Sequence, residues 1–177
     1  GHYCRIEVIN KLIYELECLP AIKRSRQSFP SKLDYTQLSR FPVTPLPAQE
    51  SFFKIYDQRL QQYGLKGYIL AADPGTGKTF ASLMLMALKK KDITVIFSPN
   101  NALNEVWRDT LNTVAGTNVL VYPNVPVQGE IYTHYVFNHE NTNFAVEAVK
   151  QIVKENPKKS IGIIVDECHK FTELSAE

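Results

Sequence analysis

Short apolar runs recur along the chain, and the segments between them repeat apolar residues at helical spacing. Two of these runs, Ile93–Phe97 and Ile161–Val165, are continuous and rich in β-branched residues, which predicts buried parallel strands. Three weaker signals also predict strands, at Tyr68–Ala72, Val119–Tyr122 and Ile131–Phe137. Together these runs predict one sheet that is covered on both faces.

Four segments with helical periodicity precede or separate the strands. Three of them are predicted to span Pro47 to Gly64, Lys78 to about Lys90, and Asn143 to Glu155. The other is predicted to begin with a cap at Asn100 or Asn101 and to include Leu111. Strands that alternate with helices predict an α/β fold, in which a parallel sheet is flanked by helices. Ligands of such folds bind at the carboxyl ends of the strands.

The beginning of the chain has a different pattern. Residues 3–19 fit a helix or a strand, and Lys23–Arg26 is a basic run. Four prolines between Phe29 and Pro47 exclude a long helix and a sheet interior, which predicts an extended linker. The chain is therefore predicted to divide into a small N-terminal accessory segment with its Pro-rich linker, residues 1–44, and an α/β domain, residues 45–177.

The composition is that of an ordinary globular protein, with 177 residues of which 44% are hydrophobic and 21% are charged. A net charge of +2 is only mildly basic, so a nucleic-acid partner would have to contact local patches. The three cysteines fit no metal-binding spacing, and neither a membrane-spanning run nor a signal peptide is visible. These features predict an intracellular protein of cytoplasm or nucleus, or one encoded by a virus.

The segment after the first predicted strand has the form of a phosphate-binding loop. Residues 72–79 match the P-loop pattern, except that Ala72 stands at the position of its first glycine. Gly75 and Gly77 let backbone N–H groups turn toward phosphate oxygens, and the next helix presents its N-terminus to the same anion. The residues predicted to bind the nucleotide are Pro74, Gly75, Thr76, Gly77, Lys78 and Thr79.

Two acidic residues, Asp166 and Glu167, directly follow the strand predicted at Ile161–Val165. With nucleotide bound, Asp166 and the Thr79 hydroxyl are predicted to hold Mg²⁺, while Lys78 reaches the β- and γ-phosphates. Glu167 is predicted to orient and polarise the attacking water. The two motifs together therefore predict hydrolysis as well as binding, with Glu167 and Lys78 as the catalytic residues.

The acidic motif continues as Asp166-Glu167-Cys168-His169, which resembles motif II of the superfamily 2 helicases and translocases in its DExH form. Gln49 is similar to the glutamine that lies upstream of the P-loop in that superfamily. The segment 98–101, followed by Trp107, resembles its motif Ia. The resemblance covers about residues 46–170 and implies a RecA-like P-loop fold.

The resemblance also implies roles for residues outside the phosphate loop. Gln49 would read the adenine edge, and His169 would couple the state of the nucleotide to the rest of the motor. Pro99, Asn100 and Asn101 would contact the nucleic-acid backbone. Trp107 is interpreted as a core residue of its helix rather than as a platform for base stacking.

The implied function is that of the ATP-binding part of a nucleic-acid-dependent ATPase, a helicase or translocase. Its cofactors would be ATP and Mg²⁺, and DNA is favoured over RNA as the partner. Because no motif beyond the DExH box is recognisable, the RecA-like domain is expected to be incomplete. A second such domain, with its arginine fingers, is expected to lie outside this chain. Such a finger contributes roughly 10³- to 10⁵-fold in rate, so the chain alone is expected to bind ATP·Mg weakly and hydrolyse it slowly.

Two other classes of function stay open. The loop Pro74–Thr79 also suits AAA+ ATPases, although the wide spacing from Lys78 to Asp166 and the Pro99/Trp107 segment are untypical of them. An interaction module for nucleic acid or protein is the other alternative, in which a nucleotide-binding fold presents the N-terminal segment with its basic run Lys23–Arg26.

Overall fold

The computed structural model describes residues 14, 32–63, 77–99, 101–138 and 142–166. Several predictions lie outside these ranges: the element at residues 3–19, the basic run, and the strand at Tyr68–Ala72. The same is true of individual candidate residues, namely Pro74, Gly75, Thr76, Asn100, Glu167 and His169.

The described helices and strands follow one another in the predicted order. They are α1 (Pro47–Tyr63), α2 (Lys78–Leu88), β1 (Ile93–Ser98), α3 (Asn101–Asn112), β2 (Val119–Val121), β3 (His134–Asn138), α4 (Thr142–Glu155) and β4 (Ile161–Val165). The predicted α/β class is confirmed. None of the helices in the described ranges has the length and apolar character needed to cross a membrane.

The four described strands form one sheet in the order β2-β3-β1-β4, and every pair is parallel. At the centre Phe97 lies opposite Phe137 on one side and Val165 on the other. The backbone N–H of Asp166 donates to the carbonyl oxygen of Phe97 at 2.9 Å, so the pairing continues one residue beyond β4. All four strands therefore end at a common carboxyl edge.

Both faces of the sheet are buried, which explains why its strands are continuous apolar runs. On one face, alternate residues of β1 and β3 such as Phe97 and Phe137 pack with the apolar side of α4. On the other face, Ile96, Val136 and Ile164 pack with residues of α2 and α3, including Trp107. Each strand thus presents side chains to a separate core on either side.

Strand β3 begins three residues later than predicted, because the polar residue Thr133 terminates the preceding loop. Its hydroxyl accepts from the backbone N–H of Asn118 at 2.8 Å. This bond connects the residue directly before β2 with the residue directly before β3. Ile131, which was expected to open the strand, is 70% exposed. The strand proper is His134–Asn138.

The Pro-rich stretch contains a 3₁₀ helix at Tyr35–Arg40, where an extended linker was expected. A carboxylate oxygen of Asp34 accepts from the backbone N–H and the hydroxyl of Thr36, at 3.1 and 2.6 Å, and caps this helix. Prolines forbid a long helix, but a single short one fits between them. The prediction was therefore wrong for these six residues.

The same stretch packs against the α/β core. Leu33 is buried in a cluster with the apolar stripe of α1 and with residues of α2, and Phe41 packs on its side. The stripe of α1 consists of the predicted residues Phe52, Phe53, Tyr56 and Leu60, and all four are buried. The division of the chain at residues 44 and 45 stays a prediction.

Candidate nucleotide site

The first turn of α2 carries the described part of the phosphate loop. Gly77 is the N-cap residue and has a φ of +80°, in the left-handed region that favours glycine. A Cβ atom at this position would lie 2.5 Å from Nε2 of Gln49. Both the backbone conformation and the close neighbour therefore require glycine at residue 77.

Gly77, at the cap position of α2, has no side chain with which to cap the first-turn N–H groups. Lys78 and Thr79 form that first turn and are both partly exposed. The carbonyl oxygen of Lys78 accepts from the hydroxyl of Ser82 at 2.8 Å, which ties the turn to the body of the helix. The helix dipole adds to the attraction for negative charge at this end.

Gln49 lies directly against this turn. Its amide Nε2 donates to the carbonyl oxygen of Gly77 at 2.9 Å, and its Oε1 accepts from the backbone N–H of Leu46 at 2.8 Å. The second bond is one of the two bonds of a capping box. In it, the side chain of a glutamine in the first turn of α1 accepts from the backbone N–H of Leu46, the residue directly before the helix. Gln49 is thus buried, and both the oxygen and the nitrogen of its side-chain amide are hydrogen-bonded. Its contact with adenine stays a prediction.

Asp166 lies at the carboxyl end of β4 and is held by a residue of another element. The indole Nε1–H of Trp107 donates to Oδ2 of Asp166 at 3.2 Å. Trp107 is only 3% exposed, so its interpretation as a core residue is confirmed. Its bond to the carboxylate was not predicted from the sequence.

The direction of α2 places Lys78 and Asp166 at the same end of the sheet. Near the start of β4, the sulfur of Met86 occupies the space into which a side chain at Gly162 would project, and Leu83 packs with Ile164 further along. Helix α2 therefore runs opposite to β4. From Met86 back to Lys78 the helix rises by about 12 Å, and from Gly162 on to Asp166 the strand rises by about 13 Å.

The segment that resembles motif Ia lies at the same edge. Pro99 follows β1 and is buried, and α3 begins at Asn101. Asn104, one turn further along α3, is 1% exposed, and neither polar atom of its amide has a hydrogen-bond partner among the described residues. The predicted contacts of Pro99, Asn100 and Asn101 with nucleic acid stay predictions.

The oxygen donors in the described part of the site fit magnesium. Within the described ranges no group of three or more His, Cys, Asp or Glu residues could hold a metal ion. Mg²⁺ is ordinarily bound by one or two carboxylates, waters and the phosphates of its substrate. The carboxylate of Asp166 and the hydroxyl of Thr79 carry oxygen atoms of that kind, and their binding of Mg²⁺ stays a prediction.

A cavity of about 360 Å³ lies at the opposite, amino-terminal edge of the sheet. Its lining includes Thr94 and His134, at the starts of β1 and β3, together with Arg40. Burial lowers the pKa of His134 to about 4, and the charge of Arg40 contributes to the same shift. The cavity is therefore separate from the edge that carries Lys78 and Asp166.

The parallel sheet, its flanking helices and the order of its elements define an α/β domain, consistent with an incomplete RecA-like fold. Residues 42–177 match the family described as type III restriction enzyme, res subunit, and because the match spans most of the chain, the chain belongs to that family. The family is helicase-like, and the matched region is the N-terminal ATPase domain of the superfamily 2 type. No curated protein and no solved structure matches the chain.

Proposed function

We propose that this chain is the ATP-binding part of a DExH-type helicase or translocase, which couples ATP hydrolysis to movement along nucleic acid. Membership of a helicase-like family of ATP-dependent enzymes that act on nucleic acid supports the class. The observation that carries the proposal for this chain is the antiparallel packing of α2 against β4. It supports a site in which Lys78 and Asp166 act on the same nucleotide.

In the proposed site the phosphates lie against the N-terminus of α2. Residues 75–77 would donate backbone N–H groups to the β-phosphate, and Lys78 would contact the β- and γ-phosphates as a point charge. Thr79 and Asp166 would hold Mg²⁺, which when bound offsets the charge on the phosphate oxygens. Gln49 would contact the adenine from the start of α1.

Hydrolysis requires a group that orients water beside the γ-phosphate, and we assign this role to Glu167. As a carboxylate it can accept a proton from the attacking water and align it with the phosphorus atom. His169 would relay the state of the nucleotide, and Pro99, Asn100 and Asn101 would contact the nucleic acid, DNA in preference to RNA. A second RecA-like domain would supply the arginine fingers, so we expect slow hydrolysis by this chain alone.

Nucleotide titration of the Lys78→Ala variant tests the proposal. We expect loss of ATP binding, whereas Lys54→Ala, on the exposed side of α1, should bind as the parent does. Glu167→Gln should bind ATP and, in the complete enzyme, fail to hydrolyse it. Parental affinity in Lys78→Ala would contradict the proposed site, and a hexameric ring formed with ATP would instead support an AAA+ enzyme.

A further inference from the structure

The bond between Trp107 and Asp166 joins two motifs that are 59 residues apart in the sequence. Trp107 lies on α3, the helix that follows the motif Ia segment, whereas Asp166 follows β4. An indole N–H can only donate a hydrogen bond, so Trp107 cannot itself be a metal ligand. Its contact with the carboxylate therefore acts on the geometry of Asp166.

Within the described part of the chain, the bond occupies one carboxylate oxygen and leaves the other without a donor. Oδ2 of Asp166 accepts from the indole, and no other described residue donates to Oδ1. The indole is fixed by its own packing, because it is buried among Leu111 of the same helix, Leu83 of α2 and Ile164 of β4. A rigid donor of this kind restricts rotation of the carboxylate about its terminal bond.

We propose that Trp107 is a positioning residue, which orients the Asp166 carboxylate so that Oδ1 faces the Mg²⁺ bound with ATP. The inference rests on the proposed function. It adds to the proposed site a residue that belongs neither to the acidic motif nor to the phosphate loop. Groups that orient metal ligands in this way typically contribute about 10- to 100-fold to metal affinity or activity.

The position of Trp107 on α3 gives the bond a second consequence. Asn101, at the start of the helix, lies about 9 Å from Trp107 along the helix axis. A shift of α3 caused by nucleic acid at the 98–101 segment would move the indole donor relative to Asp166. Through Trp107, the helix that follows the proposed nucleic-acid contact thus touches the carboxylate that is proposed to hold the metal.

The test compares binding of a fluorescent ATP analogue with and without Mg²⁺ in the parent and in Trp107→Phe. The parent should bind more tightly with Mg²⁺, and Trp107→Phe should lose about tenfold in affinity with Mg²⁺ and nothing in excess EDTA. Val149→Ala is the control, since it removes volume from the core on the other face of the sheet and leaves both the packing of the indole and its bond to Asp166 in place. Its Mg²⁺-dependent affinity should equal that of the parent.

Replacement of Trp107 by 3-benzothienylalanine separates the bond from the packing. This analogue keeps the two-ring shape but has sulfur where indole has its N–H, so it should show the same Mg²⁺-specific loss as Trp107→Phe. Parental Mg²⁺-dependent affinity with this analogue would overturn the inference and leave the proposed function intact. Parent protein that fails to bind the nucleotide at all would overturn the proposed function and the inference with it.

A second measurement uses the fact that Trp107 is the only tryptophan in the chain. Its emission reports directly on the indole, so ATP with Mg²⁺ should change the emission spectrum more than ATP in EDTA. Asp166→Asn should abolish that difference. An Mg²⁺-dependent change that persists undiminished in Asp166→Asn would overturn the assignment of Trp107 to this carboxylate.

Discussion

The side-chain amide of Gln49 donates to the carbonyl oxygen of Gly77 at 2.9 Å, across 28 residues of sequence. Through this bond and the one from Leu46, the start of α1 is joined to the start of α2. The residue that would contact the adenine is therefore also a support of the phosphate loop. Substitutions at Gln49 should affect both stability and nucleotide binding.

Gln49→Ala removes both hydrogen bonds of this amide and leaves the N–H of Leu46 without its side-chain partner. We expect a loss of about 1–3 kcal/mol in the free energy of unfolding, as is typical when a partly buried polar group loses its partner. Urea denaturation measures the loss, and Gln58→Ala, on the exposed side of α1, is the control. Equal stability of the two variants would show that the Gln49 bonds contribute nothing.

Gly77→Ala introduces two separate costs, a strained φ and a clash with Nε2 of Gln49. Gly129 provides a matched control, because its φ is +88° but no atom lies within 4 Å of the added Cβ. Gly129→Ala should therefore cost about 1 kcal/mol, from the backbone alone, and Gly77→Ala should cost more. Thermal unfolding of both variants checks the order.

The two costs at Gly77 can be separated by a double substitution. In a Gln49→Ala background the clash is absent, so Gly77→Ala should destabilise that variant less than it destabilises the parent. Such non-additivity is expected for residues in direct contact. Strict additivity of the two substitutions would mean that Gln49 does not restrict the space at residue 77.

The buried His134 makes the folded state sensitive to acid. Its pKa is lowered from 6.5 to about 4, first by burial and then by the charge of Arg40. The unfolded state therefore binds a proton below pH 6.5 while the folded state does not, and stability falls as the pH drops from 6.5 toward 4. Linkage over this window predicts a loss of roughly 2 kcal/mol between pH 7.5 and pH 5.

His134→Gln should remove this part of the pH dependence. Denaturation of parent and variant at pH 7.5 and pH 5 gives the four values needed, and contributions from the other histidines cancel in the comparison. The variant is expected to be less stable than the parent at pH 7.5, because it loses the contact of Nδ1 with Thr133. An identical pH dependence in both proteins would show that His134 does not titrate differently on folding.

Leu33 belongs to the core although it precedes the matched region of the family. It is 4% exposed and packs with residues of α1 and α2. Leu33→Ala should therefore cost about 2–5 kcal/mol, the usual range for a buried leucine. Leu46→Ala, at a side chain that is 54% exposed, should cost less than 1 kcal/mol in the same denaturation experiment.

The sequence predicted the elements well where the physical signal is local. Strand β4 has the predicted bounds, because a continuous apolar run followed by acidic residues has few alternatives, and α2 differs only at its C-terminus. The 3₁₀ helix was missed, since its formation depends on the cap at Asp34 and on packing against α2.

Contacts between distant residues could not be predicted in the same way. The bond from Trp107 to Asp166 exists because β1 and β4 are neighbours and α3 covers their face of the sheet. Neither the strand order nor the rotation of α3 about its axis can be deduced from periodicity alone. The same holds for Gln49, whose contact with Gly77 depends on how α1 packs against α2.

The short segment before residue 42 supports α2, the helix proposed to bind phosphate. The backbone N–H of Asp34 donates to the carbonyl oxygen of Leu88 at 2.8 Å, at the opposite end of α2 from Gln49. A protein shortened to the region of family similarity would lose this contact and would expose the apolar surface that Leu33 covers. The region of family similarity and the packed core thus begin at different residues, and a protein cut at residue 42 would lack part of that core.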